Sequence, residues 1–314
     1  MTSERRWLWW GLGFAGLGAL LMALAGFPWG ATANTLLAAS APVLAAALVI
    51  NLASLVAKGW GWHLILNPVA PHRWRTAQEA NLVGAAVNNV SVAVGGEAAR
   101  VSYLVRRGGV PVAAAVSSVV WARVTEGIAL AMFLVMAPSL MSLPHWLRGV
   151  QVGAGLALVI VLLITWHRGW SWLLARAPEF IRRPAAPLAA IRAGGSLWWP
   201  TILGLVNWAA QWGTYHLVLV ALHVTNRPAA SFTALAAANL GGMLRLTPAG
   251  VGVTQAAFVV GLLQFGVAPA RAIAAGVALQ ALQVLPVTFA GALLTGWRLM
   301  ETARRASAPA LQTP

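Results

Sequence analysis

The chain has 314 residues, of which 60% are hydrophobic and 9% charged, and its mean hydropathy is +0.76. So apolar a chain reads as a polytopic membrane protein, because runs near 20 apolar residues cross a bilayer. The absence of cysteine excludes disulfide and thiol chemistry, the length leaves no room for a soluble catalytic domain beside a membrane domain, and the net charge of +15 points to cytoplasmic anchoring and anionic lipid rather than nucleic acid.

In chain order, Arg5 and Arg6 precede an apolar run at 7–27, too long for a signal-peptide core and therefore read as a retained first helix. A second span fits 36–57 and ends at Lys58, the one lysine, followed by Trp60 and Trp62. Two short apolar runs around a break occupy 77–107, and further spans fit 112–138 and 150–166. The link 167–195 holds Arg168, Arg176, Arg182, Arg183 and Arg192 and reads as an interfacial basic helix. A fifth span fits 197–224, a second short-break-short unit fits 230–265, and a last span fits 272–297, before a polar tail at 298–314.

Residues 80–111 fall on 238–269 without a gap at an offset of 158. Asn81 meets Asn239, Gly84 meets Gly242, Glu97 meets Gln255, Gly108 meets Gly266 and Pro111 meets Pro269. Paired, interrupted hydrophobic segments in two halves of a membrane chain point to a binding site at the repeat interface. Each arm is roughly 12–16 residues, too short to span about 30 Å at 1.5 Å per residue. If both units re-enter, fifteen Lys and Arg lie on the cytoplasmic side and three (Arg148, Arg227 and Arg271) outside; if each spans once, the 168–192 cluster falls outside. The positive-inside rule prefers hairpins, with both termini cytoplasmic. The expected fold is therefore an all-α polytopic membrane protein with about six spanning helices plus two re-entrant helical hairpins as an inverted repeat. It forms one membrane domain, with halves at 1–136 and 149–297. Tryptophans near the expected span ends, such as Trp29, Trp60, Trp62, Trp74, Trp198 and Trp297, form an aromatic belt.

Charged groups fall inside the apolar runs. Glu97 and Arg100, and Arg123 and Glu126, are each three apart and so share a helix face. A lone charge at the bilayer centre costs at least about 2.5–3.5 kcal/mol, so partners are expected. Arg245 has no acid nearby in sequence. These groups form either an ion-pair network that fixes the fold or a site for a headgroup or coupling ion. Asn207, Gln211 and Tyr215 recur every fourth residue, as a cavity lining or a helix contact. Asn81, Asn88, Asn89 and Asn239 serve either broken backbone or a substrate. Arg100 and Arg245 suit bidentate capture of a phosphate. The histidines have no ligand spacing with carboxylates, so no metal is expected, and no nucleotide fingerprint or Ser-His-Asp arrangement is found.

The chain resembles the transmembrane region of lysylphosphatidylglycerol synthetases, a family of stand-alone membrane proteins and fused flippase modules. The likeness runs over roughly 35–297. It rests on Asn89 followed by Gly96-Glu97-x-x-Arg100, on Arg123-x-x-Glu126, and on Thr247-Pro248-x-Gly250-x-Gly252-Val253-x-Gln255-Ala256. The chain departs from the family at Val92-Ala93, where Pro-Gly is usual, at Gln255, where a glutamate is usual, and at Gln280 and Gln283, where an arginine is expected. The sequence has no counterpart of the soluble aminoacyltransferase domain, so it is expected not to make aminoacyl-lipid. What the resemblance implies is movement of a lipid or lipid-linked headgroup between leaflets of a bacterial inner membrane, without a cofactor. The expected substrate-binding residues are Glu97, Arg100, Arg123, Glu126, Arg245, Gln255, Asn89, Asn239, Gln211 and Tyr215. The expected partners are anionic or zwitterionic membrane lipids, with a homo-oligomer left open. Two rival readings stand beside this: an intramembrane transferase using Glu97 or Glu126 as base, and an ion-coupled carrier of a small solute.

Overall fold

The structure, a computed structural model, describes residues 28–91, 95–136, 141–166, 197–243 and 247–307. The expected first span, the basic link, Arg245 and the end of the polar tail lie outside the described residues.

The protein is an all-helical membrane protein. Its helices are α1 (Trp29–Leu37), α2 (Ala41–Leu66), α3 (Trp74–Val90), α4 (Gly95–Gly108), α5 (Val112–Met136), α6 (His145–Trp166), α7 (Trp198–Ala221), α8 (Pro228–Gly242), α9 (Val253–Leu263) and α10 (Pro269–Ser307). Prolines mark several starts, with Pro in the first turn of α2 and α8 and at the head of α10, where its missing N–H costs nothing. Among the described residues three helices are long and apolar enough to cross a membrane: α2, α5 and the stretch Pro269–Glu301 of α10. Of the six expected spans, the one at 7–27 lies outside the described residues. The 24-residue α7 has the length, but Asn207, Gln211 and His216 dilute its apolar character. Boundaries also move: α2 runs nine residues past the expected end at 57, and α10 continues through Arg298 into the expected tail.

Each short-break-short unit is a pair of antiparallel helices. In the first, Thr76 lies beside Gly108, Tyr103 donates to Glu79, and Gly84 lies against Gly96 and Arg100. The chain therefore returns to the end where it entered. The arms touch through glycine: a Cβ at Gly84 would meet the Gly96 carbonyl and the Arg100 Cβ, both at 2.8 Å. Small residues are what let helices approach this closely. In the second unit Gly241 faces Val253, and Gly261 faces Ala234 and Ala237. Its break turns on Ala249, Gly250 and Gly252, at φ 53°, 71° and 83°. The glycines there hold a left-handed backbone that other residues adopt only with strain.

The two halves meet along α2 and α7. These pack antiparallel, with Ser40 N–H donating to the Ala221 carbonyl at one end and Gly61 beside Pro200 at the other. The first hairpin also packs against α10 of the other half, where Asn89 donates to Thr288 (3.0 Å) and Gly291 lies against Ala86.

The apolar core has two main clusters. One gathers α7, α8, α9 and α10 around Leu219, Phe258, Leu262 and Leu279; the other gathers α2, α4 and α5 around Trp62, Leu66, Leu104 and Trp121. Trp62 was expected in the interfacial belt but is 2% exposed, because its ring carries Arg100 and its Nε1 donates to Ser118 (2.9 Å). Trp29, Trp74 and Trp198 are exposed at the first residues of α1, α3 and α7, while Trp60 and Trp297 are exposed within α2 and α10, well before their ends.

Candidate functional site

A polar cavity of about 420 Å³ lies where α2, α5, α7 and α10 meet the first hairpin. Its α2 lining runs from Asn51 to Lys58, its α5 lining is Arg123 and Glu126, and its α7 lining runs from Asn207 to Tyr215. These are the central turns of their helices.

Five ionic side chains form one chain across it. Arg100 Nε lies 2.6 Å from Glu97, Glu97 pairs with Arg123, Arg123 Nη1 lies 3.0 Å from Glu126, and Glu126 lies 3.2 Å from Lys58. Both pairs spaced by three residues form, and the Glu97–Arg123 contact joins them between α4 and α5. Among the described residues the cluster counts three cations against two carboxylates, and each carboxylate is already shared by two cations.

Arg100 is 4% exposed, and its guanidinium lies 4.7 Å over the Trp62 ring. The approach to Glu97 is close but poorly aligned for a hydrogen bond, and Arg100 Nη2 donates to nothing among the described residues. A buried guanidinium N–H without an acceptor is costly and marks a place for an incoming one. Beside it, Gly96 and Glu97 bring the first turn of α4, the positive end of its dipole, to the cavity wall.

Amides complete the lining. Gln283 donates to Gln211 (3.0 Å), and Gln211 donates to Ser54 (2.8 Å), joining α10, α7 and α2. Asn81 donates to the Leu55 carbonyl (3.1 Å) and Asn239 to that of Leu235 (2.8 Å), so both stabilise backbone while lining the cavity. Tyr215 lines it and stacks on Phe258 at 5.5 Å.

Of the residues expected from the sequence, Glu97, Arg100, Arg123, Glu126, Asn89, Asn239, Gln211 and Tyr215 all line this cavity. Gln255 does not. Its Oε1 accepts from Gly252 N–H at the start of α9 and its Nε2 donates to Gln280, both at 2.7 Å. Arg245 lies outside the described residues. Lys58 was expected as a charge at a span end; α2 continues past it, and it points instead at Glu126. Its isolation as the one lysine in an arginine-rich chain was the available signal.

Residues 8–291 match the family model of the lysylphosphatidylglycerol synthase TM region. The chain belongs to that family. Membership agrees with the helical membrane architecture and connects the protein with lipid-related processes. A comparison with curated proteins finds no match. The ionic side of the site lies on the first hairpin, α5 and Lys58 of α2, while amides stand at Gln255, Gln280 and Gln283.

Proposed function

We propose that the protein is a flippase-like transporter, not an enzyme, that carries a lipid or lipid-linked headgroup between leaflets through the polar cavity. In this reading two hairpins re-enter from opposite faces of a bacterial inner membrane, among about six spans, with both termini cytoplasmic. The charge count of the cavity carries the reading: three cations face two carboxylates, and Arg100 Nη2 lacks an acceptor. One anionic group, such as a phosphodiester, would neutralise the excess and take that donor. At mid-membrane depth, where uncompensated charge is expensive, this complementarity offsets the cost of moving a headgroup through hydrocarbon.

In this mechanism the headgroup enters between the helices while the greater length of its tails stays in the bilayer. Its anionic oxygen meets Arg100, whose orientation is fixed by Trp62 and Glu97. Arg123 and Lys58 are each partly exposed, so they can follow the headgroup while Glu126 holds them in the cluster. Asn and Gln side chains replace water around the rest of the headgroup. Both carboxylates in the cavity are engaged by two cations, which leaves neither as an open base for transfer chemistry.

The test is a leaflet assay in proteoliposomes with a fluorescent anionic phospholipid and a membrane-impermeant bleach. Wild-type protein is expected to expose the inner-leaflet dye, and Arg100→Ala, eluting as a folded protein, to slow this by about tenfold or more, since one charge-assisted contact is worth roughly 1.5–3 kcal/mol. Bleaching that stops at the outer-leaflet share in wild type would overturn the transport reading.

A further inference from the structure

A second cavity, about 140 Å³ and apolar, lies between α5, α6 and α8. Phe232, Leu134 and Ala236 form its buried end, and Leu240 and Met243, both exposed, form its mouth. Phe133, Phe232 and Trp212 stiffen the wall, with ring centroids 5.4–6.4 Å apart. The one polar residue in this lining is Asn239, and Asn239 also lines the ionic cavity. Polar and apolar cavities therefore meet at one side chain of the second hairpin.

We propose that the apolar cavity holds the upper part of the hydrocarbon chain of the lipid whose anionic headgroup lies in the ionic cavity, with Asn239 at the junction. The proposal rests on the lipid reading above and adds a chain subsite to it. An apolar cavity of about 150 Å³ stays dry and accepts a six-carbon ring, so this one suits a stretch of about six carbons. Moving a chain from bilayer to groove gains little by itself, because both are hydrocarbon. What fills the groove is the tether: a headgroup held next door raises the local concentration of its own chain. The arrangement also divides the work between hairpins, the first gripping the headgroup and the second guiding the tail.

The experiment uses two photoactivatable probes in proteoliposomes, an anionic phospholipid with a diazirine near the start of one acyl chain and a diacylglycerol with the same chain and no phosphate. Adduct sites are mapped by mass spectrometry. The expected result is labelling of Phe232, Leu134 or Ala236 that is about tenfold stronger with the phospholipid, the factor a modest anchoring energy gives. Ala236→Phe, which fills the groove, and Leu240→Trp, which blocks its mouth, should each abolish that excess while exposed Val260 and Leu263 label as before. Equal labelling by the two probes, or adducts only at exposed positions, would overturn the chain subsite. The leaflet assay run on the same vesicles separates the two ideas. Translocation without groove adducts sinks the subsite alone, and groove adducts without translocation sink the transporter reading alone.

Discussion

The two hairpins occupy the same register of the repeat and use it differently. Where the first has Glu97, the second has Gln255; where the first has Arg100, the second has Phe258. Glu97 ties its hairpin to Arg123 on the following long helix, and Gln255 ties its own to Gln280 on the following long helix. Arg100 lies over Trp62, whereas Phe258 stacks on Tyr215 and is fully buried. The repeat has kept the mechanical link between hairpin and span and confined the charge to one copy. That asymmetry gives the first hairpin an ionic face and the second an apolar, packed one.

The sharpest way to break the comparison is at the glycines. Gly84 and Gly242 are repeat equivalents, yet a Cβ at Gly84 would meet backbone and the base of Arg100 at 2.8 Å, and a Cβ at Gly242 meets nothing within 4 Å. Gly84→Leu should wedge the first hairpin open, at a cost of about 3 kcal/mol or more, with loss of folded protein. Gly242→Leu should stay within about 0.5 kcal/mol. Tryptophan-monitored thermal unfolding in detergent reads both. Equal effects would mean that the two hairpins are not packed as differently as the structure has them.

A smaller effect is expected from exchanging the paired acid and amide. Glu97→Gln removes the carboxylate shared by Arg100 and Arg123, so translocation in the leaflet assay should fall by about tenfold, the order expected for an uncompensated buried cation. Gln255→Glu keeps the acceptor for Gly252 N–H and lies off the cavity, so translocation should change by no more than about threefold. If Gln255→Glu proves the more damaging, the ionic wall is not where the headgroup is held.

The paired short helices of each repeat and most of the cavity lining were legible because these depend on short-range signals. Glu97 and Arg100 announce themselves by helical spacing, and the arms by their length. Lys58 was misread because its partner is Glu126, 68 residues away, and a cation after an apolar run otherwise reads as an interface charge. Gln255 misled for the converse reason. Its register matched Glu97, but a local bond to Gly252 N–H turns it toward the start of its own helix. The apolar groove drew on α5, α6 and α8 at once, and one more Leu or Phe in so apolar a chain signals nothing.

The last predicted effect concerns how each hairpin is anchored at its rim. The first is tied to α10 by ions: Arg298 Nη2 donates to both Glu79 oxygens (2.6 and 2.8 Å), and Glu79 also accepts from Tyr103 (2.6 Å) and Arg75 (3.2 Å). The second is anchored by packing of Phe258, Leu262 and Val267. Glu79→Gln leaves Arg298 its bond to Glu301 and keeps an acceptor for Tyr103, so the loss should be only about 1–2 kcal/mol. Its salt dependence is the informative part. Raising ionic strength screens the ion pairs of wild type at the rim, so the stability gap between wild type and Glu79→Gln should narrow in high salt. Leu262→Ala, in the hydrocarbon anchor of the second hairpin, should show a gap that salt does not narrow. A Glu79→Gln gap insensitive to salt would mean that packing, not charge, holds both hairpins in place.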